Sequence, residues 1–221
     1  MSAPQFTLYT HAQGPNGWKV AYVLKALGLT YESKYLQFDK AEQKAPAFLA
    51  INPNGRIPCL VDHSDNDFAV WESDAILVYL VEKYDTKNLI SFAGAKEKTQ
   101  TLQWLFFQAS GQGAYFGQAA HFKMFAPEKI PYGVTRYTNE VARVCSVLDA
   151  VLAKQEFLVG DHVSIADLSF IPWNNFALVA LLPDGVDAKT TYPALSAWHA
   201  KLQDLPYVKE ASADQAAATK Q

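Results

Sequence analysis

Apolar and polar side chains alternate over Phe6, Thr7, Leu8 and Tyr9, the two-residue period of a half-buried strand. A turn-forming stretch, Gln13-Gly14-Pro15-Asn16-Gly17, follows it. Val20, Val23, Leu24 and Leu27 then recur at the spacing of one helical face, and Gly28 stands where a C-terminal cap belongs. Residues 31–36 read as a second strand, and 46–51 as a short helix that must stop before the Asn52-Pro53-Asn54-Gly55 turn. Residues 57–62 and 68–71 form a hairpin pattern around the polar tip 63–67. Residues 72–84 return to helical spacing, with Ile76, Tyr79 and Leu80 on one face. The predicted order is β-α-β-α-β-β-α.

Beyond Tyr84 the period changes, and strand-like alternation gives way to helical spacing alone. Leu102, Leu105, Phe106 and Ala109 mark one helix. Val141, Val144, Cys145, Leu148 and Leu152 mark another, with Arg136, Glu140 and Arg143 on its solvent side. Ser164 and Asp167 have the spacing of a capping box, and Val163 with Leu168 that of a hydrophobic staple. The reading is an α/β domain over 1–86, a linker over 87–96 and an all-α domain over 97–221, with a small, polar, frayed tail over 212–221.

Composition narrows the chemistry. Half of the 221 residues are hydrophobic, enough to bury one large core or two modest ones. A net charge of −3 supplies no field that gathers phosphates or anionic lipid, so neither nucleic acid nor a membrane surface is an expected partner. The start MSAPQFTLYT lacks a signal-peptide pattern, and no run of about 18 apolar residues occurs, which points to a cytoplasmic protein. Cys59 and Cys145 are too few for a disulfide framework. His11, His63, His121, His162 and His199 form no metal-ligand spacing, so no metal is expected.

Four local features carry chemistry, and each has a plain alternative. Asn16 stands where a strand passes into a helix; it either caps that helix or presents its amide, with the helix N–H groups, to an anionic ligand. Ile57-Pro58 either begins a strand in trans or is cis and turns the Ile57 backbone towards an extended ligand. Glu72-Ser73 opens a helix, where an acid can hold an ammonium and a hydroxyl with the helix start can hold a carboxylate; an ordinary acidic first turn is the alternative. Gln43 and Lys44 can meet a second carboxylate or lie solvated.

Taken together, these features resemble the glutathione transferases. The element order, the Ile-Pro before the third strand, the Glu-Ser opening the last helix of the first domain and the later Ser-Ile-Ala-Asp cap carry the likeness over nearly the whole chain. GPNGWKVAYVL, KAPAFLAINPNGRIPCL, AVWESDAILVYL, WLFFQASGQ, GQAAHFKMF and LSFIPWNN narrow it to the fungal branch related to the yeast nitrogen-regulatory prion protein. Bacterial nu-class transferases share the Pro-Asn-Gly element. The resemblance implies a thioredoxin-like first domain, glutathione as co-substrate, a small hydrophobic electrophile and a homodimer. It implies that Glu72 and Ser73 hold the γ-glutamyl end, that Ile57, before Pro58, pairs with the cysteinyl unit, and that Gln43 or Lys44 lies near the glycine carboxylate.

Gln13 and Gly14 occupy the place where other classes carry a serine or cysteine before the proline, which disfavours a cysteine mechanism. Asn16 is therefore the expected catalytic residue, stabilising the glutathione thiolate, with Tyr9 a weaker second candidate. The implied activity is transfer of glutathione to electrophiles, with peroxide or disulfide reduction as variants. The competing reading is a ligand carrier or regulator of the same fold. The yeast protein's long Asn/Gln-rich leader has no counterpart ahead of the first strand here, which disfavours the prion-type regulator. The aromatic run around His121, over 116–125, either lines an electrophile pocket or packs between helices.

Overall fold

The computed structural model describes residues 3–220. Backbone packing divides the chain into two compact units, one reaching Ile90 and taking in the stretch from Leu205 onward, the other spanning Ser91–Asp204.

The first unit follows the predicted order: β1 (Phe6–Thr10), α1 (Pro15–Ala26), β2 (Tyr31–Tyr35), α2 (Pro46–Leu49), β3 (Cys59–Asp62), β4 (Phe68–Trp71) and α3 (Ser73–Tyr84). The sheet order is β2-β1-β3-β4, with β1 and β2 parallel and both other pairs antiparallel. Phe6 and Leu8 are wholly buried, and Phe6 meets Tyr84 of α3 edge to face. The Tyr9 ring leans on Phe48 of α2 on the other side of the sheet.

Helix α1 departs from the single apolar face its spacing predicts, because every residue from Gly17 to Leu24 is buried. The C-terminal helix explains this. Residues 206–218 are helical, and Val208 and Ala211 of that segment are buried in the first unit. Lys25 of α1 reaches Glu210 at 2.6 Å and Asp214 at 2.9 Å. The expectation of a frayed 212–221 tail inside the second domain is thus corrected through residue 218, while position 221 lies outside the described residues.

The second unit is helical throughout: α4 (Ala95–Phe107), α5 (Ala114–Ala120), α6 (Pro131–Leu152), α7 (Ile165–Ala180), α8 (Ala188–Thr191) and α9 (Pro193–Gln203), to which the C-terminal segment Pro206–Ala218 adds α10 in the first unit. Wider π turns, Gln108–Gly113 and His121–Phe125, follow α4 and α5. Val141, Val144, Cys145 and Leu148 of α6 are fully buried as expected, while Glu140 pairs with Arg136 and Arg143 on the solvent side. In α4 the buried face is Thr101, Trp104 and Leu105; Leu102 and Phe106 are exposed, so the periodicity there selects the wrong edge of the stripe. Much of the aromatic run packs: Phe116 is buried beside Trp173, and Phe122 stacks on Tyr137, whereas Phe125 is exposed.

Candidate active site

The sheet register decides which loops can meet. Tyr9, next to last in β1, pairs with Cys59, the first residue of β3, and Cys59 pairs with Trp71, the last of β4. Thr10, the last residue of β1, pairs with Tyr35, the last of β2. The segments after β1, after β2, before β3 and after β4 therefore all leave the sheet at one end. Those segments hold Asn16, Gln43 and Lys44, Ile57 and Pro58, and Glu72 and Ser73.

Side-chain contacts link these segments in series. Lys44 donates from Nζ to the Asn54 carbonyl at 3.2 Å, which ties the Glu42–Lys44 turn to the loop before β3. That loop is braced by Asn52, almost wholly buried, whose Nδ2 donates to the Arg56 carbonyl at 2.6 Å. The Gln43 side-chain oxygen is buried without a hydrogen-bond partner among the described residues. Ile57-Pro58 is cis, and Ile57 lies beyond the first paired residue of β3, outside both ladders. A Cβ on Gly14 would stand 3.0 Å from Ile57 Cδ1, so the turn before α1 lies against Ile57.

Helix α1 begins at Pro15 after Gly14, with no side-chain cap. Asn16 is consequently not the cap but lies in the first helical turn, where backbone N–H groups stand outside the i to i−4 ladder. Gly17 is needed at the third position because a Cβ there would overlap the Thr10 side chain. The loop ahead is fixed by Trp18, whose indole N–H donates to the Ala12 carbonyl at 2.9 Å.

Helix α3 also starts without a side-chain cap, and Glu72, at its N-cap, has φ of 69°, a left-handed conformation uncommon for a residue with a Cβ. Such backbone geometry clusters at ligand clamps. Ser73 is buried, and behind it lies Lys19, 1% exposed, whose Nζ donates to Ser73 Oγ at 3.1 Å and to Asp74 Oδ1 at 3.2 Å. Burial pushes the Lys19 pKa down and the Asp74 pKa up, each opposed by the charge of the other. The sequence reading missed Lys19; a lysine flanked by Trp18 and Val20 in a helix covered on all sides was the available signal.

Neither cysteine suits nucleophilic work. Burial pushes both Cys59 and Cys145 up to about 12, which keeps each a thiol. No group of three or more metal-ligating side chains occurs among the described residues.

Residues 4–82 match the family model of the Glutathione S-transferase, N-terminal domain, and residues 121–206 that of the C-terminal domain. Glutathione S-transferase 1 of Schizosaccharomyces pombe is 47% identical over 216 residues, covering 93% of this chain and 94% of the relative. Among solved structures, glutathione transferase URE2P6 from Phanerochaete chrysosporium, in complex with oxidized glutathione, is 52% identical with a TM-score of 0.95, covering 98% of each chain. Ure2p5 from the same fungus, cocrystallized with 1-(S-glutathionyl)-2,4-dinitrobenzene, is 45% identical with a TM-score of 0.93, covering 100% of this chain and 99% of that one. The chain belongs to the glutathione S-transferase family, and the resemblance to its Ure2-like fungal branch holds.

Proposed function

We propose that this protein binds glutathione at the shared end of its sheet, stabilises the thiolate and transfers it to small hydrophobic electrophiles. The observation that carries this is the convergence there of two helix starts without side-chain caps, α1 and α3, with Ile57 between their segments. Helix starts favour anions, and glutathione brings a carboxylate and a thiolate at one tripeptide's separation. In this reading Glu72 takes the γ-glutamyl ammonium and Ser73 its carboxylate. The Ile57 backbone pairs with the cysteinyl unit, and Gln43 or Lys44 faces the glycine carboxylate. The conjugate-bound relative supports attack on an electrophilic carbon.

Asn16 acts on sulfur. A free thiol titrates near 8.5, and each unit of depression corresponds to about 1.4 kcal/mol, within reach of one or two charge-assisted hydrogen bonds. The Asn16 amide and the first-turn N–H groups of α1 supply such donors. The thiolate then attacks carbon and expels the leaving group, or attacks a peroxide oxygen and expels hydroxide or alkoxide as the O–O bond breaks, or attacks a disulfide sulfur and expels the other sulfur as thiolate. Two buried thiols suit a reducing cytoplasm, and exposed Leu102 and Phe106 on α4 suit coverage by a second copy in a homodimer.

The test is Asn16→Ala, read by turnover and by the thiolate absorbance of bound glutathione against pH. The expected result is a thiol pKa raised by about one to two units with turnover reduced about tenfold or more near neutrality. Unchanged titration and turnover would remove Asn16 from the mechanism. Tight glutathione binding without turnover on aryl halides, isothiocyanates, peroxides or disulfides would instead favour a carrier.

A further inference from the structure

We infer that Lys19 is a positioning residue that biases the Ser73 hydroxyl to donate towards the γ-glutamyl carboxylate of glutathione. This rests on the reading of Glu72-Ser73 as the γ-glutamyl subsite.

A fully buried lysine is rare, and it persists only where its charge has partners. Lys19 meets Ser73 Oγ at 3.1 Å and Asp74 Oδ1 at 3.2 Å, and the Glu72 carboxylate also favours its charged form. An ammonium has donors and no acceptor. Ser73 Oγ must therefore accept from it, which leaves the hydroxyl proton as what Ser73 can give in another direction. A hydroxyl that accepts from a cation is also polarised into a stronger donor.

The consequence is selectivity by charge. Without Lys19, the Ser73 hydroxyl can rotate to donate inward, to Asp74, and its oxygen would then present lone pairs to an incoming carboxylate. With Lys19 in place, the ammonium engages both Ser73 Oγ and Asp74 Oδ1, which disfavours that orientation. A positive charge also stands directly behind the hydroxyl, while Asp74 holds that charge inside the protein by pairing from the next residue along α3.

Replacing Lys19 alone strands a buried Asp74 carboxylate and can unfold the unit, so the informative variant is Lys19→Met with Asp74→Asn, which removes both charges and leaves the amide oxygen at position 74 as the inward acceptor. The probes are glutathione and an analogue in which 4-aminobutyrate replaces the γ-glutamyl unit, so that only the α-carboxylate is missing. Calorimetric titration of the wild type gives the preference for the carboxylate. In the double variant that preference falls about tenfold while affinity for the analogue stays within about twofold. Adding Ser73→Ala to the double variant then costs little, although the same change in the wild type costs about tenfold. Loss of the Asp74 negative charge by itself favours an anionic ligand, so the fall is owed to Lys19. An unchanged preference, or equal loss of both ligands, overturns the inference. Failure of the wild type to bind glutathione at all overturns the subsite reading instead.

Discussion

Two helices in this chain open beside a serine and an aspartate, and the two starts have opposite designs. At α7 the Asp167 carboxylate, fully buried, accepts from the Ser164 N–H at 3.0 Å, the Ser164 hydroxyl at 3.1 Å, the Leu158 N–H at 2.9 Å and the Trp198 indole at 3.1 Å. Ser164 closes the box by accepting from the Ala166 N–H. At α3 nothing of this kind forms. Ser73 lies inside the helix rather than at its cap, Glu72 takes a left-handed backbone, and the neighbouring aspartate turns inward to Lys19. A helix start that satisfies itself has nothing left for a ligand, and one that leaves its first turn uncapped has donors to offer.

The largest expected effect falls on the closed start. Asp167→Ala strands donors from Leu158, Ser164 and Trp198 in a buried setting, and should cost about 4 kcal/mol of stability. Denaturant unfolding measures it. Glutathione affinity of the protein that remains folded should not change. A loss under about 1 kcal/mol would mean that the box is ornamental, and a selective loss of glutathione affinity would erase the distinction between the two starts.

The Ser164–Asp167 pairing was legible in the sequence because it lies within four residues, whereas the bonds from Leu158 and Trp198 to the same carboxylate were not. The first unit's strand and helix order was legible for a similar reason, since each period runs over neighbouring residues. The α3 start was only half legible. Glu72 and Ser73 could be picked out by resemblance, but neither the φ of Glu72 nor the pairing of Lys19 with Ser73, 54 residues away, leaves a trace in local spacing. The cover that α10 gives α1 was hidden too. Its buried residues, Val208 and Ala211, are too small a stripe to announce a packed helix in an alanine-rich tail.

The open start should answer to substitution in the reverse sense. Ser73→Ala removes one acceptor of the buried Lys19 ammonium, so the fold should lose about 1.5 to 3 kcal/mol, less than at Asp167, while the glutathione dissociation constant should rise about tenfold. Thermal unfolding with and without glutathione separates the two quantities. Should stability collapse while affinity holds, Ser73 would be a structural residue after all, and α3 would belong with α7.

The smallest effect is expected at the far end of the ligand, at a third kind of anion contact that has no helix start behind it. Lys44 already gives one donor to the Asn54 carbonyl, and its ammonium keeps further donors for a carboxylate. An exposed ammonium on a flexible stem loses much of its attraction to water and salt. Lys44→Met should therefore weaken glutathione by only about two- to threefold at low salt, and the difference should shrink as ionic strength rises. Titrations at two salt concentrations test it. A loss as large as that of Ser73→Ala, insensitive to salt, would show that a lone lysine can do what the uncapped helix starts are argued to do, and the contrast between open and closed starts would no longer explain where glutathione binds.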